Sequence, residues 1–104
     1  MKIITPTLLD SKISGKGKFL LFDVCEDIDY DADNMPSAEH IPASKFNGSL
    51  PSQFEDIDTF SEIVLVCDDS SLSKKTASKL KQNGYTKVSI LEGGYQNWFA
   101  QGYE

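Results

Sequence analysis

The chain has 104 residues, 39% hydrophobic and 25% charged, with 16 acidic against 10 basic residues and a net charge of −6. This length fits one domain, residues 1–104, able to bury roughly 65% of its unfolded surface, and the composition excludes a chain disordered throughout. Every basic residue is a lysine, which excludes a bidentate guanidinium clamp, and no basic stripe exists to track nucleic-acid phosphates.

In chain order, Lys2–Ile4 reads as a short first strand. Thr5-Pro6 then starts a helix, with threonine as N-cap and proline at the first helical position. Leu8, Leu9 and Ile13 are expected on its inner face, and Gly15 and Gly17 end it. Phe19 to Val24 is nearly continuous apolar chain, the pattern of a strand covered on both faces. Residues 26 to 39 carry six acids and no base, with Asp23 just before as a seventh, and read as a solvated loop with one helical turn expected near Asp27–Tyr30. After Pro42, Lys45-Phe46 reads as a short strand, and Leu50 to Phe60 as short helical turns. Ile63 to Val66, with three β-branched residues of four, is the strongest strand. Ser73 is read as the cap of a helix through about Gln82, with Ala77 and Leu80 inside and Asn83-Gly84 as its stop. Lys87 to Leu91 is another strand. Gly93-Gly94 then opens a last helix carrying Trp98 and Phe99, both expected in the core, and Gly102 ends it. Short apolar runs alternating with helical patterns point to an α/β fold, a parallel sheet flanked by helices.

No apolar run approaches the ~18 residues that cross a bilayer. The start Met1-Lys2-Ile3-Ile4-Thr5-Pro6 lacks the apolar stretch of a secretion signal, so no membrane contact and a cytoplasmic location are expected. The two cysteines, Cys25 and Cys67, are too few and too far apart for a disulfide framework or a zinc site. Both are expected as free thiols, and no metal or cofactor is expected.

Ligands of open parallel sheets bind beyond the carboxyl ends of the strands, where Cys67 stands. The turn from Asp68 to Leu72 aims backbone N–H groups inward beside the positive end of the next helix, which favours a thiolate nucleophile. The competing reading is a small buried cysteine that only packs.

The segment Ile63 to Leu80, with Cys67, a six-position turn, Ser73, Ala77 and Leu80, resembles the active-site loop of rhodanese-like domains. Phe22-Asp23-Val24 with Glu26 is similar to that family's Asp-Val-Arg-Glu, and Tyr30 sits where its tyrosine usually does. His40-Ile41-Pro42-Ala43 is similar to its His-Ile-Pro-Gly-Ala. Gly84-Tyr85, Val88, Leu91 to Trp98 and Gly102-Tyr103 resemble its closing pattern. The resemblance implies a three-layer α/β/α fold around a mostly parallel five-stranded sheet. It also implies a sulfurtransferase in which Cys67 carries a persulfide from a small sulfur donor or a persulfide-carrying protein to a thiol acceptor. A catalytically inactive binding or regulatory module on the same fold is the alternative. Related phosphatases and arsenate reductases use a longer loop ending in arginine, which this chain lacks.

The family's loop reads Cys-x-x-Gly-x-Arg-Ser, whereas this one reads Cys67-Asp68-Asp69-Ser70-Ser71-Leu72-Ser73. Ser70 replaces glycine and forces a different turn if a positive φ is required. Leu72 replaces the cation expected to hold anionic thiosulfate, so a neutral or protein-borne donor is expected. Asp68 and Asp69 at ~6 Å each oppose a thiolate by about 0.7–3 kcal/mol, against about 0.3–1 kcal/mol from a helix N-terminus. Repulsion wins unless the carboxylates point outward, with Lys74 and Lys75 as partial offsets. Cys25 stands at the family's arginine, either as a resolving thiol or as a merely packed one. His40 is expected to make a structural hydrogen bond. The acid-rich segment is about six residues longer than the family's, read either as a solvated insertion or as a docking site for a basic protein partner.

Overall fold

The computed structural model describes residues 2–15, 17–27 and 34–103. Among them five strands form one sheet: β1 (Lys2–Ile4), β2 (Leu20–Asp23), β3 (Glu39–His40), β4 (Ile63–Val66) and β5 (Val88–Leu91). The order is β1-β5-β4-β2-β3 and every neighbouring pair is parallel. Strand β4 lies in the middle, paired Asp23↔Val66 with β2 and Leu65↔Ile90 with β5, and all four of its residues are buried. A β-branched run without polar alternation suits that position, because both of its faces are covered.

Helix α1 (Pro6–Ser14) begins where Thr5 Oγ1 accepts the Leu8 N–H at 3.2 Å, with Pro6 in the first turn. Its inner face is Pro6, Leu9 and Ile13 rather than the expected set with Leu8, which is 57% exposed. Leu8 and Leu9 lie about 100° apart on the helix, so the buried i, i+4 pair Leu9 and Ile13 leaves Leu8 outside.

Helix α2 (Ser71–Gln82) packs on β4, β5 and a 3-10 turn at Ala43–Phe46. It buries Ser73, Thr76, Ala77 and Leu80. It ends at Asn83 with Gly84 at φ +92°, where Tyr85 N–H donates to Leu80 O over 3.1 Å. Its start differs from the expected Ser73 cap. The flanking residue is Ser70, without a side-chain cap, and Ser73 lies inside the first turn, because the local bond of Ser71 N–H to Asp69 Oδ1 leads the chain into the helix at Ser71.

Lys45-Phe46 is not a strand. Pro42 fixes φ near −55°, and Lys45 N–H returns to Pro42 O at 2.9 Å, closing a 3-10 turn. The edge pairing goes instead to β3, followed by Ile41 N–H on Asp23 O at 2.9 Å and Ala43 N–H on Val24 O at 3.0 Å. A second 3-10 turn, Ser52–Asp56, matches the expected helical turns, and Tyr85 Oη pins it by donating to Phe54 O at 3.0 Å. Beyond Asp27, the expected turn at Asp27–Tyr30, Tyr30 itself and the centre of the acid-rich segment lie outside the described residues. Helix α3 (Gly94–Ala100) buries Trp98, while Phe99 is 40% exposed and stacks on Tyr95, a partial correction to the expected core pair.

Candidate functional site

Cys67 follows β4 directly and is 1% exposed. The Ser70 N–H donates to its Sγ at 3.1 Å. That contact depends on the turn Asp68–Ser70, and Ser70 closes it at φ +82°, the sole non-glycine residue at positive φ among those described. The glycine conformation is therefore kept by a serine, at a strain of order 1–2 kcal/mol. The expectation of a different turn fails: the strand ahead and the helix behind over-determine the backbone.

The two loop acids are exposed. Asp69 Oδ1 accepts Ser71 N–H at 3.0 Å and Ser71 Oγ–H at 2.7 Å. Those two bonds, with the Lys74 ammonium, hold its carboxyl below the usual 3.8. Asp68 Oδ2 receives a long bond of 3.4 Å from the Gln96 amide. Both charges are thus solvated and engaged at the rim, which weakens their opposition to a Cys67 thiolate. Lys74 and Lys75 are exposed on the first turn of α2, Lys74 serving Asp69 and Lys75 lining a cleft shared with Leu72. Ser73 Oγ is buried with no partner among the described residues.

The base of the loop is clamped by α3. Tyr95 N–H donates to Cys67 O at 2.8 Å and Gln96 N–H to Asp68 O at 3.1 Å. The approach requires glycine at position 94: φ is +60°, and a Cβ there would lie 2.3 Å from Cys67 O. Beneath the clamp lies fully buried Asp23. Its Oδ2 accepts Tyr95 Oη–H at 2.6 Å, and its Oδ1 accepts Cys25 N–H at 2.9 Å.

Cys25 is buried beside this carboxylate. Burial first, then its hydrogen bond to Asp23, pushes its thiol far above the ordinary value of 9.0, while the Asp68 N–H and the Cys67 sulfur face it from the loop. The structure thus brings Cys25 to the underside of the Cys67 loop as a protonated thiol. His40 Nε2–H donates to Cys25 O at 2.8 Å, the structural bond expected of it. Glu26 accepts Ser44 N–H at 3.2 Å and Ser44 Oγ–H at 3.1 Å, tying the end of β2 to the 3-10 turn at Ala43–Phe46. The Asp23–Tyr95 pair escaped the sequence reading because the partners are 72 residues apart. The signals were an acid ending an apolar strand and a Gly-Gly pair before an aromatic. Among the described residues no group of three or more His, Cys, Asp or Glu is placed to hold a metal ion, and no helix is long and apolar enough to cross a membrane.

Comparison with known proteins agrees with this layout. The uncharacterized protein YqhL of Bacillus subtilis is 30% identical over 96 residues, covering 91% of this chain and 73% of that protein. A tRNA uridine(34) hydroxylase of Escherichia coli is 30% identical over 77 residues, which are 72% of this chain but only 22% of the hydroxylase. A crystal structure of a rhodanese-like domain protein from Staphylococcus aureus superposes with a TM-score of 0.79 at 26% identity, covering 100% of this chain and 97% of that one. A rhodanese-related protein from Thermoplasma volcanium superposes equally well, at 0.79, with 20% identity over 100% of this chain and 96% of that one. The family model of the rhodanese-like domain matches residues 5–101, and the chain belongs to that family.

Proposed function

We propose that this domain is a sulfurtransferase that carries sulfane sulfur as a persulfide on Cys67. The observation that carries the reading is the Ser70 N–H on Cys67 Sγ at 3.1 Å, in a turn whose positive φ survives the loss of glycine. A backbone donor aimed at sulfur at the start of α2 favours the thiolate, and the outward Asp68 and Asp69 leave it less opposed.

In the first step the Cys67 thiolate attacks the outer sulfur of a donor R–S–SH. The new Cys67 S–S bond forms as the donor's S–S bond breaks, and R–S⁻ leaves and takes up a proton. In the second step an acceptor thiolate R′–S⁻ attacks the outer sulfur of Cys67–S–SH, forming R′–S–SH with the proton that sulfur already carries and releasing Cys67 as the thiolate, which Ser70 N–H receives. Oxidation state is conserved overall, so no external oxidant or reductant is needed. With Leu72 in the cation position, a neutral donor or a persulfide on a protein suits the loop better than thiosulfate.

Incubation with a sulfane sulfur donor followed by intact-mass measurement should show one added sulfur atom on the native chain and none on Cys67→Ser. No adduct with neutral, anionic or peptide-borne donors would refute the reading. The 1% exposure of Cys67 favours the second reading, a binding module that holds an unreactive thiol. That reading requires Cys67 to alkylate with iodoacetamide at pH 7 more slowly than free cysteine.

A further inference from the structure

The charges of this acidic chain are segregated. Residues 70–91 contain five of the ten lysines and no acid, while all sixteen acids lie outside that stretch. Four of those lysines, Lys74, Lys75, Lys79 and Lys81, belong to α2, the helix that starts at the Cys67 loop. Lys75 and Lys79 are one helical turn apart and share a face. Neither has an ion-pair partner among the described residues, where the single salt bridge is Lys12–Glu62. Both line a cleft of about 540 Å³ between α2 and the Ala43–Phe46 turn. Leu72 and Phe46 supply its apolar wall, and Leu72 is also part of the Cys67 loop. Among the described residues Glu26 is the one acid lining the cleft, and its two carboxylate oxygens already accept bonds from Ser44.

We propose that this cleft is the docking site for an acidic segment of the protein that exchanges sulfur with Cys67. The inference rests on the persulfide reading for the identity of that partner, but not for the binding itself. Unpaired ammonium groups facing an apolar-walled cleft, on a molecule otherwise strongly negative, attract and orient a carboxylate-bearing partner and repel one that approaches elsewhere. Because Leu72 joins cleft and loop, a segment seated against Lys75 and Lys79 leads its own sulfur toward Ser70 and Cys67. Nucleic acid fits less well: the chain has no arginine, and among the described residues the cleft's one aromatic side chain, Phe46, is buried and presents no open face for stacking.

The test is fluorescence anisotropy of labelled cysteine-containing peptides, one rich in Asp and Glu and one with Asn and Gln in their place. Binding is measured on the native chain, on Lys75→Gln/Lys79→Gln, and on Lys2→Gln/Lys18→Gln as a charge-matched control. The acidic peptide should bind about tenfold more tightly than the neutral one, and lose about that factor in the double variant and in high salt, but not in the control. Persulfide transfer to the acidic peptide should slow in parallel, and by a larger factor than transfer to a small neutral thiol. Equal binding of the two peptides, or equal losses in both double variants, overturns the docking site. So does a chain that self-associates in sedimentation through Lys75 and Lys79 without preferring the acidic peptide, since the occupant is then a second copy. If the charge preference holds and no persulfide ever forms on Cys67, the docking surface stands and the sulfurtransferase reading falls.

Discussion

Tyr95 donates its hydroxyl proton to Asp23 across 2.6 Å, joining the start of α3 to the end of β2 under the Cys67 loop. The same tyrosine's N–H holds the Cys67 carbonyl, so one residue ties a buried carboxylate to the backbone of the candidate nucleophile. Tyr95→Phe removes a donor from a fully buried carboxylate and should cost about 1–3 kcal/mol in urea unfolding. Because the clamp is loosened, the rate of Cys67 alkylation should change as well. An unaltered urea midpoint would show that Asp23 does not depend on this bond.

Stability should fall at alkaline pH. Burial and Asp23 raise both Cys25, from an ordinary 9.0, and Tyr95, from an ordinary 10.0. A raised native pKa keeps the group protonated in the fold while the unfolded chain ionises. The stabilisation is therefore complete below pH 9 and is lost progressively above it, by up to about 1.4 kcal/mol per pH unit for each group. Urea titrations of Cys25→Ala should show a shallower decline than the native chain from pH 9 to 10, with the Tyr95 contribution to the decline retained above that range. Identical slopes would remove Cys25 as a source.

Ser70→Gly should stabilise the protein by about 1 kcal/mol, since it relieves a left-handed serine while the turn is kept. The Ser70 amide remains in place, so persulfide formation on Cys67 should persist. A loss of stability, read by thermal or urea unfolding, would mean that the serine side chain contributes more than its backbone strain costs.

Leu72→Arg restores a cation at the end of the loop. It should accelerate sulfur loading of Cys67 from thiosulfate by about tenfold or more, and loading from a neutral donor far less, because a guanidinium recognises the oxyanion and not the sulfane sulfur. Equal acceleration of both donors would show that the substitution acts through the fold rather than through charge.

The elements that could be read along the chain are those set by local chemistry. The β-branched run Ile63 to Val66 has no other stable use than a covered strand, Thr5-Pro6 satisfies a helix start within three residues, and Asn83-Gly84 ends α2 through the left-handed glycine its carbonyls need. Cys67 could be placed at the strand's carboxyl end for the same reason. What stayed hidden depends on partners brought from far along the chain. Strand β3 is two residues long and exists because β2 offers it a ladder, which local propensity at Lys45-Phe46 could not reveal. The left-handed Ser70, the outward carboxylate of Asp69 and the burial of Asp23 beneath Tyr95 follow from packing α2 and α3 onto the sheet. Those long-range contacts outweigh the preferences of single residues, and they determine which N–H groups reach sulfur.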